Sequence, residues 1–258
     1  DWKAAAISTV VPHLGFTSDY LMIFVALLGT TISPYLFFWQ ANQEVEEADI
    51  HDLGLYRECG SSLASKIKCM RLDVSAGMIF SNLISWFIIL AAAAVIFAHG
   101  GSVEIASADE AARVLRPLAG PFASALFMLG IIGTGLLAVP IFSSTAAYAL
   151  SELFGFSEGL SKKWHEAKLF YFIIIISTAI GALMNLLGIS PVRALIYAAV
   201  INAVIAAPLI FIIMRLAGDH ALMGEYRTRA KAKIFGWLAF AVMTLASAAW
   251  IISLLLKK

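Results

Sequence analysis

Residues 29–34 read Gly29-Thr30-Thr31-Ile32-Ser33-Pro34 and stand near the middle of a run, 21–43, that contains no Asp, Glu, Lys or Arg. A run of that length can cross a bilayer, because about 20 apolar helical residues span the hydrocarbon. The hexapeptide nevertheless puts a helix breaker at membrane depth. Pro34 has no N–H and its ring clashes with the carbonyl four residues earlier, so the Thr30 carbonyl is predicted to lose its helical partner. In hydrocarbon such a carbonyl is costly unless protein, water or an ion satisfies it. Ser33-Pro34 also matches an N-cap followed by a first-turn proline, so a second half-helix is expected to start there. The local residues leave two readings open. One is a proline kink repaired by neighbouring helices. The other is a true interruption that presents free carbonyls at the negative end of a half-helix, where a cation is stabilised.

Outside this run the same pattern repeats. Five more uncharged runs, 74–103, 117–151, 169–192, 194–214 and 234–256, complete a chain of 258 residues that is 61% hydrophobic and 14% charged, with mean hydropathy +0.88. That apolar fraction exceeds that of an ordinary globular domain. The runs lack the period-two alternation of a membrane barrel, so helices are predicted. The expectation is an all-α integral membrane protein, 1–258 forming one transmembrane domain. Its six spans are placed near 19–45 (broken at 29–34), 75–98, 119–150, 168–189, 191–216 and 233–256.

The connecting segments carry the charge. Those after the first, third and fifth runs hold twelve Lys and Arg, against six on the opposite side. By the positive-inside rule both ends of the chain then lie outside. The expected location is a bacterial cytoplasmic (inner) membrane. The basic residues are scattered and form no single patch, so no nucleic-acid partner is expected. Residues 1–18 read as an external segment skimming the interface, 44–73 as a charged loop with short helical pieces, and 102–116 as a short surface helix. Gly188-Ile189-Ser190-Pro191 reads as a tight hairpin with Ser190 as N-cap and Pro191 as the first helical residue. Cys59 and Cys69 have neither metal-site nor redox-motif spacing and read as free thiols. The opening Asp1, with no start methionine, is read as the mark of a fragment of a longer protein. Gly130-Ile-Ile-Gly133-Thr-Gly135 has the letters of a nucleotide loop but no preceding strand, and reads as a helix-packing face.

Gly29-Thr-Thr-Ile-Ser-Pro34-Tyr-Leu and Arg215-Leu-Ala-Gly-Asp-His-Ala-Leu-Met-Gly224-Glu-Tyr resemble the sixth span and the loop after the tenth span of the Nramp family of divalent-metal transporters. The stretch through Ser143-Ser144-Thr145 to Ser151-Glu-Leu-Phe-Gly155 is similar to that family's eighth span. The resemblance covers essentially the whole chain but only the second half of the family's eleven-span, LeuT-like inverted-repeat fold. It implies a missing N-terminal half of five spans as a partner within the same protein.

It also implies site residues. Where the family's sixth span reads Gly-Ala-x-x-Met-Pro-His, the metal touches the Ala carbonyl and the Met sulfur. Thr30 stands at the Ala position and Ser33 at the Met position. A backbone carbonyl ligand survives any side chain, whereas exchanging a thioether for a hydroxyl shifts the site toward harder ions such as Mg²⁺ and Mn²⁺. The discontinuous helix is completed by Gly29, Thr31, Ile32 and Pro34. Two family histidines linked to proton movement correspond to Tyr35 and Gln40, gating or coupling positions that do not titrate near neutrality as imidazole does. These substitutions also resemble magnesium-transporting relatives. Asn202 lies near the place where the family's tenth span offers an amide to the ion. An interhelical hydrogen bond is the competing role for it, as for Asn82, Asn185 and Ser143 to Thr145. Glu44, Glu46 and Glu47 read as a solvated helix end.

A dication in a low-dielectric site needs carboxylates, and none lies in these runs. In the family they come from an Asp-Pro-Gly-Asn break in the first span, so the fragment alone is not expected to transport. The resemblance thus implies a secondary transporter carrying Mn²⁺, Fe²⁺ or Mg²⁺ as substrate across the lipid bilayer by alternating access, with no cofactor. The alternative is a LeuT-like carrier of a small organic solute such as an amino acid. The sequence offers no nucleophile and base pair, no His-Glu-x-x-His and no paired membrane carboxylates, so an enzyme is not expected.

Overall fold

In the computed structural model the structure describes residues 2–11, 15, 17–49, 62–98, 110 and 122–256, and among them every regular element is helical. The chain is an all-α integral membrane protein. Helix α1 covers Trp2–Val10, α2 Ser18–Thr31, α3 Pro34–Asp49, α4 Leu63–Ala98, α5 Ala123–Phe154, α6 Lys168–Leu186, α7 Pro191–Leu216, α8 His220–Met223 and α9 Ala230–Leu256. Five stretches are long and apolar enough to cross a membrane: Ser18–Glu46, Leu63–Ala94, Ala125–Phe154, Pro191–Leu216 and Ala230–Leu256. A sixth apolar stretch, Lys168–Met184, is shorter.

Local chemistry sets the boundaries. Thr17 caps α2 by accepting the Tyr20 N–H at 3.4 Å, and Asp19 in the first turn complements the helix dipole. Ser190 accepts the Arg193 N–H at 3.5 Å with Pro191 as the first helical residue, and Gly188 takes φ 74°, as the predicted hairpin requires. Helix α5 ends where Gly155 turns left-handed at φ 68° and Phe156 N–H closes on the Ser151 carbonyl at 2.8 Å.

Two expectations change. Residues 63–73 were expected in a charged loop but form the first turns of α4. Ser62 caps them through Ser65 N–H at 3.2 Å, and Ala64, Lys66, Lys68 and Met70 are good helix formers that can extend a helix beyond the hydrocarbon. Cys69 is disulfide-bonded, which corrects the free-thiol reading at that position; Cys59, the chain's one other cysteine, lies outside the described residues. The surface helix expected at 102–116 also lies outside them, apart from Glu110.

The chain divides into two compact units, residues 1–37 with 185–258 and residues 38–184. In the first, α2, α7 and α9 pack on one another around Val25, Ala26, Ala199, Val200, Ala203, Ala206, Ala207, Ile210, Met214 and Met243. The alanines of α7 recur at three- and four-residue spacing, a small-residue face that lets backbones approach. In the second unit Ala147, Tyr148, Ala167 and Phe170 form the core, with Trp39, Tyr171, Ile173 and Ile174 packed on it.

Candidate functional site

Helix α2 stops at Thr31 and α3 starts at Pro34, which leaves Ile32 and Ser33 between them, whereas Gly29, Thr30 and Thr31 stay helical. Ile32, with φ −109° and ψ 88°, leaves the helical region after its N–H has bonded the Leu28 carbonyl at 2.9 Å. Ser33 is buried, Pro34 opens α3, and Leu36 N–H closes the first turn on the Ser33 carbonyl at 3.1 Å.

The Thr30 carbonyl is not left bare. The Ser33 hydroxyl donates to it at 3.1 Å, replacing the N–H that Pro34 lacks. The hydroxyls of Thr30 and Thr31 both donate to the Leu27 carbonyl, at 2.8 and 2.9 Å. Four oxygens of threonine and serine thus lie along one end of α2, three of them hydroxyls with local acceptors. The Ser33 amide, which a continuous helix would aim at the Gly29 carbonyl, makes no backbone bond among the described residues. The break therefore offers neutral oxygen donors held by contacts that a cation can replace.

Gly29 fixes the break against α7. A Cβ there would stand 1.9 Å from the Ala199 carbonyl oxygen and 2.8 Å from the Ala203 nitrogen, so the two backbones touch. Asn202 adjoins Ala203 and follows Ala199 by three residues, which puts it on the neighbouring part of that helix face. It is half-buried. The interhelical hydrogen bond that competed for its role is not present among the described residues. Ser143 and Thr145, by contrast, bond back to carbonyls of their own helix, at 2.8 Å to Val139 and 2.7 Å to Ile141, as does Ser144 to Pro140. Asn82 does the same, to Met78 at 2.7 Å.

Of the two coupling positions, Tyr35 is half-buried in the first turn of α3. Gln40 is exposed and donates to the Glu44 carboxylate at 3.0 Å, one turn further on. Among the described residues no group of three or more His, Cys, Asp or Glu stands together as a metal site. The profile of a family described as Natural resistance-associated macrophage protein-like, Nramp, matches residues 1–253.

The chain belongs to the Nramp family. It is 25% identical to the divalent metal cation transporter MntH of Clostridium acetobutylicum over 92% of this chain and 50% of that protein. It is 24% identical to the protein of the same name from Caldanaerobacter subterraneus, over 92% and 52%, and 22% identical to that of Aeromonas hydrophila, over 88% and 50%. The Nramp chain described here spans about half the length of the curated relatives it matches.

One interaction of this Nramp chain escaped sequence reasoning. Glu46, expected in a solvated helix end, accepts hydrogen bonds from the Tyr148 hydroxyl at 2.5 Å, Ser161 N–H at 2.6 Å and Leu160 N–H at 3.3 Å. A signal was present, since an acid near a helix C-terminus opposes the dipole and needs a partner. The partners are more than a hundred residues away in sequence.

Proposed function

We propose that this chain forms the C-terminal half of a LeuT-like secondary transporter that moves a divalent metal cation, Mn²⁺, Fe²⁺ or Mg²⁺, by alternating access. The observation that carries the reading is the break between α2 and α3, where the Thr30 carbonyl and Ser33 hydroxyl meet at 3.1 Å beside the Gly29 contact with α7. In this reading the Ser33 hydroxyl turns from Thr30 toward the ion, so both oxygens become ligands, and the Asn202 amide adds a third from α7. Tyr35 and Gln40 occupy gating or coupling positions. The carboxylates that a dication needs come from the other half of the protein. Both ends of the chain lie outside, in a bacterial cytoplasmic membrane. The matched relatives are named for divalent metal cations, which supports this substrate class over an organic solute.

Uptake by the full-length protein in proteoliposomes tests the reading. Mn²⁺ flux, with Mg²⁺ and Ca²⁺ as competitors and amino acids as non-competing controls, is expected to collapse in Pro34→Ala. Flux that amino acids compete for and divalent ions do not would overturn it.

A further inference from the structure

We propose that Glu46 is a positioning residue whose carboxylate fastens the C-terminal part of α3 to Tyr148 of α5 and to the connection that precedes α6. These pieces then travel as one block in the transport cycle; the inference rests on the transport reading above.

The second unit contains the whole arrangement. Trp39, Gln43 and Glu46 recur at four- and three-residue spacing, so they share one face of α3. All three address Tyr148. The Trp39 ring meets it edge-on at 6.2 Å, Gln43 Nε2 donates to its hydroxyl at 3.3 Å, and its hydroxyl donates to Glu46 Oε2. Tyr148 is buried, and its other side packs edge-on against Phe170 of α6 at 4.8 Å. The ring of this α5 residue is thus clamped between α3 and α6.

The loop side is shaped for the carboxylate. Glu46 Oε1 accepts Ser161 N–H, and Oε2 accepts Leu160 N–H, a donor that also reaches the Tyr148 hydroxyl at 3.1 Å. Bonds to an ionised acceptor are the strong kind, and successive backbone amides make an anion-binding concavity. Gly159 permits the approach. It sits at φ 131°, and a Cβ there would stand 3.1 Å from Glu46 Oε1. Tyr171 of α6 holds the same loop from beyond by donating to the Lys162 carbonyl at 2.7 Å. An acid at the C-terminal end of a half-helix opposes the local dipole. Its three donors offset that repulsion and convert it into attachment.

The test uses the full-length protein in proteoliposomes, with turnover expressed per metal-binding site. Glu46→Ala and Tyr148→Phe are each expected to lower Mn²⁺ turnover on the order of tenfold, with KM and the equilibrium Kd for Mn²⁺ within about twofold of wild type. The double variant should be no slower than Glu46→Ala, because both remove one attachment. Cysteines at 46 and 161 should give a slow transporter that a short bis-maleimide bridge restores, a rescue that a purely structural role does not produce. Loss of transport on bridging, or wild-type turnover in both single variants, overturns the proposal. Where Glu46→Ala fails to fold, Tyr148→Phe decides. Hydrogen exchange at the Leu160 and Ser161 amides, expected to speed up in the Glu46 variant, reads the fastening without transport. Unchanged exchange sinks it, whereas an inert wild type sinks the transport reading alone.

Discussion

The Ser33 hydroxyl donates to the Thr30 carbonyl across 3.1 Å and so does for that carbonyl what the missing N–H of Pro34 cannot. A neutral hydrogen bond of this kind contributes about 1 kcal/mol, little enough for a cation to displace. Ser33→Ala is therefore expected to fold and, on the proposed site, to bind Mn²⁺ about tenfold more weakly for want of one oxygen ligand. Ser33→Met should instead favour softer ions, and Mg²⁺ should compete less well against Mn²⁺ than it does in wild type. Competition curves for the two variants check both outcomes; equal Mg²⁺ competition in Ser33→Met would remove Ser33 from the site.

Gly29→Ala places a methyl group where the Ala199 carbonyl and the Ala203 nitrogen already stand. Both atoms are backbone, so α2 and α7 must separate rather than repack a side chain. Overpacking typically costs about 1–3 kcal/mol. A lower melting midpoint in detergent, together with lost uptake, is the expected result, and a wild-type midpoint would contradict the contact.

Asn202 has no hydrogen-bonding partner among the described residues that its removal would orphan. Asn202→Ala is accordingly expected to leave the melting midpoint within about 1 °C of wild type, as for changes worth a few tenths of a kcal/mol. On the proposed site its Mn²⁺ affinity should fall about tenfold, as for the loss of one ligand. Titration calorimetry and thermal melts on the same preparation separate the two effects. A drop in stability with unchanged affinity would return Asn202 to an interhelical role.

Glu158 lies beyond the end of α5, and burial, reinforced by the charges of Glu152 and Glu46 and opposed by Lys162, raises its carboxyl above the ordinary 4.5. Its Oε2 is buried without a hydrogen-bond partner among the described residues. The folded state therefore holds this proton more tightly than the unfolded chain. Its contribution to stability is fully present below pH 4.5 and is lost as pH rises through the folded value. Glu158→Gln should melt higher than wild type at pH 7, with the gap narrowing toward pH 4.5. A variant that melts lower at pH 7 would show that the charge is matched by a partner.

The all-α, apolar character of the chain was legible because it depends on composition within a few dozen residues. Pro34 removes an N–H wherever it stands, and Ser190-Pro191 caps a helix by local geometry alone. The start of α4 at Leu63 was not legible, since charged residues that exclude hydrocarbon do not exclude a helix projecting from it. The partner of the Thr30 carbonyl was missed because a serine hydroxyl can bend back on a carbonyl three residues earlier or point elsewhere, and residue type does not say which. Glu46 was read as solvated because its donors, Tyr148, Leu160 and Ser161, lie more than a hundred residues away, and backbone amides leave no mark in a sequence. Family membership supplied the functional direction; the contacts of Gly29, Thr30 and Ser33 came from the structure alone.

Only Ile32 and Ser33 separate α2 from α3, so the break is a two-residue pivot with a long arm. At 1.5 Å per residue, the 16 residues of α3 form a lever of about 24 Å. A turn of about 10° at the pivot, within the ordinary scatter of backbone dihedrals, sweeps the far end through about 4 Å. Glu46 grips its loop near that far end. A small angular change at Ile32 and Ser33 is thereby geared up into a displacement of about 4 Å at the other end of the helix.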